Sequence, residues 1–114
     1  MTAFEKAKMI AKLIDNKKGE DVKILQIGTL TTIGDYFVVA TGNSTTQVKA
    51  LADEVDEKMS AAGEEPKRME GYQSATWILI DYYDVIVHVF QKEAREFYAL
   101  ERLWSDAPAV PFEE

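Results

Sequence analysis

The chain has 114 residues, 46% of them hydrophobic, with no cysteine, one histidine and a formal net charge of −7. That length suits one domain able to bury a core without staples, and the missing cysteines exclude a disulfide framework and thiolate metal ligation. An acidic chain without a basic cluster suits nucleic acid poorly, because phosphates are neutralised by Lys and Arg; it is better matched to a basic protein surface.

Phe4, Ala7, Ile10, Ala11, Leu13 and Ile14 fall at helical spacing and predict a helix over residues 2–16. Thr2 and Glu5 supply a capping box, and Gly19 supplies a stop. Residues 1–6 run straight into this amphipathic pattern, so no signal peptide is expected, and no apolar run approaches membrane-spanning length. The expected location is cytoplasmic. Asp21–Ile27 alternates as a strand, residues 28–34 form a loop, and Asp35–Thr41 is a second strand closed by Gly42-Asn43.

Ser44-Thr45-Thr46-Gln47 reads as a second capping box, followed at helical spacing by Val48, Leu51, Ala52, Val55 and Met59, with Gly63 ending the helix. Pro66 rules out a central strand at that point, so Lys67–Glu70 is expected as a short edge strand. Trp77–Ile80 and Val85–Phe90 are apolar runs too continuous for a strand with one wet face. They predict a central hairpin covered on both faces, turning between Asp81 and Asp84, with His88 as the one titratable group inside the second strand.

Lys92–Trp104 is expected as a last helix with an apolar stripe of Ala94, Phe97, Tyr98, Leu100, Leu103 and Trp104. Pro108 and Pro111 mark residues 105–114 as a mobile tail. The order implies an α/β (α+β) fold over residues 1–104: a single mixed sheet of about five strands with packed helices.

No catalytic constellation is complete. Gly42-Asn43-Ser44 before a helix could hold an anion, but Ser44 is already explained as a cap. A nucleotidyltransferase needs a carboxylate pair on a strand beside such a turn to hold cations against phosphates. Asp53-Glu54 and Asp56-Glu57 sit on a helix instead, while Asp81 and Asp84 bracket a turn. Walker and dinucleotide glycine patterns are absent, and no nucleophile elbow supports a triad of Ser44 or Ser74 with His88. No enzyme, metal or cofactor is therefore expected. The informative chemistry is the cluster of Glu70, Tyr72, Trp77, Asp81, Tyr82, Tyr83 and Asp84, since Trp and Tyr are common interface anchors and acidic neighbours steer basic partners.

Asp35–Ser44, Gln47-Val48, Glu70-Gly71, Trp77–Asp81, Asp84–Phe90 and Arg95–Trp104 together resemble the ribosomal silencing factor, or Iojap-like, family, in the right order over nearly the whole chain. The resemblance implies a nucleotidyltransferase-like topology without enzymatic activity. It also implies a translation repressor that binds a basic protein, the fourteenth of the large ribosomal subunit, and sterically blocks small-subunit joining, notably under starvation. It implies self-association as a homodimer, and no sequence-specific nucleic-acid or membrane binding. Carried over to matching positions, the docking residues are Glu70, Gly71, Trp77, Asp81, Asp84 and His88. The competing readings are a cryptic nucleotidyltransferase using the Gly42–Ser44 turn with Asp81 or Asp84, and an assembly factor for the large subunit.

Overall fold

A computed structural model describes residues 1–112, apart from the Phe97 side chain; the expectations placed on that side chain and on Glu113-Glu114 lie outside the described residues. The elements are α1 (Ala3–Asn16), β1 (Glu20–Gln26), β2 (Tyr36–Gly42), α2 (Thr45–Ala61), β3 (Arg68–Glu70), β4 (Trp77–Asp81), β5 (Val85–Gln91), α3 (Lys92–Tyr98), α4 (Leu100–Leu103) and β6 (Ala109–Val110). The strands form one six-stranded mixed sheet in the order β3-β4-β5-β2-β1-β6. The β2–β5 pair at its centre is parallel, and all other pairings are antiparallel.

Both long helices lie on the same face of the sheet. Ala7, Ile10, Ala11 and Ile14 of α1 and Val48, Leu51, Ala52, Val55 and Met59 of α2 share one core with Val38, Ala40, Ile78, Ile80, Val85, Val87 and Val89. Truncating a fully buried member such as Leu51 to Ala would cost about 2–5 kcal/mol. Thr2 caps α1 through the expected reciprocal box with Glu5. In α2 only half of the expected box forms. Ser44 Oγ accepts from the Gln47 N–H, but Gln47 turns its own amide to the Asn43 N–H and the Lys18 carbonyl.

The opposite face is covered only in part. Leu25, Ile27, Phe37, Val39, Phe90, Leu100 and Ala107 form a second, smaller core with Trp77, Ile86, Ala94 and Trp104 at its margin. The cover comes from the C-terminal segment. It was expected as one helix, but it breaks at Ala99, whose φ of +50° is left-handed, into α3 and α4. The break drops Leu100 into the second core and leaves Leu103 exposed. The expected stripe is therefore split.

Residues 109–110, expected within a mobile tail, pair as β6 with Ile24 and Leu25 of β1. Pro108 assists by accepting a hydrogen bond from the Gln26 N–H at 2.9 Å. An edge position explains why prolines are tolerated here, since one side of an edge strand needs no donors.

Candidate docking face

The alternation of β4 and β5 decides what lies on the partly covered face. Ile78 and Ile80, with Val85, Val87 and Val89, point to α1 and α2. Trp77, Leu79 and Asp81 therefore share the other face with Ile86, His88 and Phe90. Trp77, Leu79 and Ile86 are only half-buried there. The two-sided cover expected for the hairpin holds at Phe90 and His88 and gives out toward Leu79 and Ile86.

Aromatic rings run across this face from α3 to β2. Trp77 lies 4.8 Å from Tyr98 and stacks on Phe90 at 4.9 Å. Phe37 meets the His88 ring edge-on at 4.6 Å and Trp104 at 5.4 Å. His88, only 3% exposed, accepts a hydrogen bond at Nδ1 from the Trp77 indole N–H at 3.1 Å. That bond assigns the ring proton to Nε2. Burial pushes the His88 pKa down to about 4, so the ring is a neutral acceptor near pH 7.

The other residues singled out from the sequence serve the surrounding frame. Gly71, at φ +82°, brings the chain so close to β4 that a Cβ would sit 2.2 Å from the Trp77 carbonyl oxygen. Asp81 is buried; its Oδ1 accepts from the Tyr83 N–H at 2.8 Å, which fixes the turn, and its Oδ2 lies 3.7 Å from Arg68. Asp84 is on the helix side, where its Oδ1 accepts from Lys6 Nζ at 2.7 Å. Lys6 also contacts the Tyr82 carbonyl at 3.3 Å and Glu64 at 3.4 Å, so one buried ammonium ties α1 to the hairpin turn and to the chain after α2. Burial opposes the Lys6 charge, but Asp84 and Glu64 together outweigh it and hold its pKa above the usual value. Glu70 is exposed, with Oε2 3.2 Å from Arg68 Nε.

Trp77 and His88 are thus brought into contact, Glu70 and Gly71 lie just before β4, and Asp84 faces away. Leu79, Ile86 and Tyr98 were not singled out as docking residues. The phase of the strands carries the signal for Leu79 and Ile86, while Tyr98 arrives only through the packing of α3. Tyr82, an expected surface aromatic, is 1% exposed in the helix-side core, where burial raises its pKa with added effects of Asp56 and Glu65. Tyr83 stays 63% exposed.

The parts of a nucleotidyl site are not brought together. Ser44 follows the end of β2, whereas Asp84 adjoins its start, where the Asp84 carbonyl accepts from the Tyr36 N–H. A seven-residue strand therefore separates them, roughly 20 Å at strand rise. Among the described residues no group of three or more His, Asp or Glu is placed to hold a metal ion. A cleft of about 620 Å³ opens beside Thr41, Lys92 and Arg95. Arg95 is buried beneath it and held by Glu101 at 2.8 Å, the Asp21 carbonyl at 2.9 Å and Thr41 at 2.7 Å. Among the described residues no helix is long and apolar enough to cross a membrane.

The fold and this face define a small mixed-sheet domain with its two long helices on one side and, on the other, an aromatic surface that α3 and α4 cover in part. The model of the family "Ribosomal silencing factor during starvation" matches residues 1–114, and the chain belongs to that family. The ribosomal silencing factor RsfS of Halalkalibacterium halodurans is 43% identical over 113 residues, covering 99% of this chain and 97% of that protein. A crystal structure of a Chromobacterium violaceum protein superposes with a TM-score of 0.90 at 38% identity, covering 92% of this chain and 88% of that one. More distant is the mouse protein named mitochondrial assembly of ribosomal large subunit protein 1, 25% identical over 100 residues; the match takes in 85% of this chain but 44% of that protein.

Proposed function

We propose that this chain represses translation by docking its partly open sheet face on a basic protein of the large ribosomal subunit, the fourteenth, and so excluding the small subunit. The carrying observation is the half-buried Trp77, sharing with Leu79 and Ile86 the face of the sheet that α3 and α4 cover only in part, in a chain of net charge −7. A tryptophan set among rings and aliphatic groups has the character of an interface anchor, and the net negative charge of the chain would speed encounter with a basic partner. Membership of the silencing-factor family supports the ribosome as target. Trp77 is the contact residue and Glu70 a rim charge. Gly71, Asp81 and His88 act on the same surface by fixing its backbone and rings, and Asp84 anchors the hairpin turn from the helix side through Lys6. The mechanism is occlusion, without chemistry on a substrate or cofactor. In the cytoplasm the free chain self-associates as a homodimer.

A second reading, assistance in large-subunit assembly, is favoured by the printed name of the mouse relative and would use the same face. Co-sedimentation with isolated large and small subunits tests the docking step. The wild type is expected to pellet with large subunits only, and Trp77→Ala, checked for its fold by thermal melting, is expected to stay in the supernatant. Equal pelleting of the two would move the docking surface elsewhere; no pelleting of either would remove the ribosome from the reading. Subunit-joining assays against maturation profiles then separate silencing from assembly.

A further inference from the structure

The Trp77 indole has two things to offer a partner: the part of its ring that Phe90 and Tyr98 leave uncovered, and its one N–H. The N–H is already bonded inward, to His88 Nδ1 at 3.1 Å. The two residues are not directly opposed in the ladder. Trp77 pairs with Phe90, and His88 pairs with Leu79. The bond is therefore a diagonal one across β4 and β5, and it sets which way the indole turns about its own side-chain bonds. His88 has little freedom to follow: it is 3% exposed, with Phe37 packed edge-on at 4.6 Å. Its Nε2 is buried without a hydrogen-bond partner. Leaving a ring N–H unsatisfied costs free energy, so a hydrophobic residue at this strand position would satisfy packing better than His does. What His supplies and a hydrophobe cannot is the Nδ1 acceptor.

We infer that His88 is a positioning residue: it holds the Trp77 N–H inside the fold so that the docking face presents the indole ring alone. This rests on the docking role proposed for Trp77. It also narrows the chemistry of the partner. The group that meets Trp77 is one that an apolar ring face attracts, an aliphatic chain or the cationic head of Lys or Arg, and not a carbonyl or carboxylate seeking a donor.

The test is a double-mutant cycle read in two ways. The first readout needs no ribosome: solvent exchange of the Trp77 indole proton, followed by NMR. It is expected to be slow in wild type and in His88→Asn, whose amide oxygen keeps an acceptor near the Nδ1 position, and fast in His88→Leu. The second is the affinity for large subunits. Trp77→Phe, which keeps a ring and lacks the N–H, is expected to bind within a few-fold of wild type. His88→Leu is expected to bind about tenfold more weakly in the Trp77 background, by leaving the N–H unsatisfied and free to turn, and to add nothing in the Trp77→Phe background. His88→Asn is expected to restore most of the affinity. Slow indole exchange in His88→Leu would overturn the inference, as would additive losses in the cycle. If exchange responds as expected while neither Trp77→Ala nor His88→Leu alters binding, positioning stands and it is the docking role of Trp77 that fails.

Discussion

Two glycines with nearly the same backbone angle separate conformational strain from close approach. Gly63 has φ +85° with no heavy atom within 4 Å of a built Cβ; Gly71 has φ +82° with the Trp77 carbonyl oxygen at 2.2 Å and the Ile78 Cα at 3.6 Å. Any L residue in the left-handed region costs about 1–2 kcal/mol, and both Ala variants incur that cost. Only Gly71→Ala must also move a backbone carbonyl by about 1 Å, an overpacking term of about 1–3 kcal/mol. The totals are about 1–2 kcal/mol for Gly63→Ala and about 2–5 kcal/mol for Gly71→Ala. At about 4 °C per kcal/mol for a domain of this size, the melting temperatures fall by roughly 4–8 °C and 8–20 °C. Circular-dichroism melts measure both, and amide exchange at Ile78 and Leu79 locates the extra disturbance at the start of β4. Equal shifts for the two variants would refute the close-approach argument. The displaced carbonyl belongs to Trp77 itself, so any Gly71→Ala that remains folded should also bind large subunits less well than Gly63→Ala.

Three further outcomes follow from the buried polar side chains. Lys6→Met should cost about 1–2 kcal/mol, below the range for a fully buried pair because Asp84 is partly exposed. Since the folded Lys6 pKa is raised above 10.5, its contribution is full below that pH and fades as pH climbs through the folded value; urea melts near pH 11 should narrow the gap between wild type and variant. For His88 the sign is opposite. Its pKa is about 4 folded against 6.5 unfolded, so the unfolded chain takes up the proton first, and wild type loses up to about 1.4 kcal/mol per pH unit relative to His88→Asn between those values. Parallel stability profiles across that window would contradict the burial argument. Arg95→Met unties Asp21, Thr41 and Glu101 together, with an expected loss of about 2–4 kcal/mol and faster amide exchange in α4 and the start of β1, against little change in α2. A uniform rise in exchange would show instead that Arg95 supports the whole domain.

Most of the fold could be read where local chemistry and tertiary packing agree. Thr2 and Glu5, the apolar spacing of α2 and the Asp81 turn are local signals that the packing leaves in place. The misread features are those that packing decides. Nothing about Ala99 favours a left-handed φ; the chain takes it because Leu100 then reaches the second core and Glu101 reaches Arg95. Pro108 and Pro111 read as breakers, although a two-residue edge strand fits between them. Gln47 completes the expected box pattern in sequence, yet its Oε1 accepts from the Asn43 N–H instead of that of Ser44, while its NH2 donates to the Lys18 carbonyl of another segment. At the proposed docking face the residue types were legible but their depth was not. A run of β-branched and aromatic residues reads as covered on both sides, and only the reach of α3 and α4 decides that cover stops short of Leu79 and Ile86. The acidic groups were legible as charges, while the partners that occupy them, Lys6 for Asp84 and Arg68 for Glu70 and Asp81, come from distant or edge positions.

The parallel pair at the centre of the sheet has a consequence for how the chain comes to be folded. It joins residues 36–42 to residues 85–91, and Lys6 near the start closes on Asp84. An N-terminal fragment ending after α2 would hold two helices and one antiparallel pair, with the apolar edge of β2 unpaired. Such long-range pairing is slow, because the loop between its strands must be ordered before contacts repay it. During synthesis the central strand pair has to wait for β5 to emerge, so this domain completes its sheet only when most of its own translation is over.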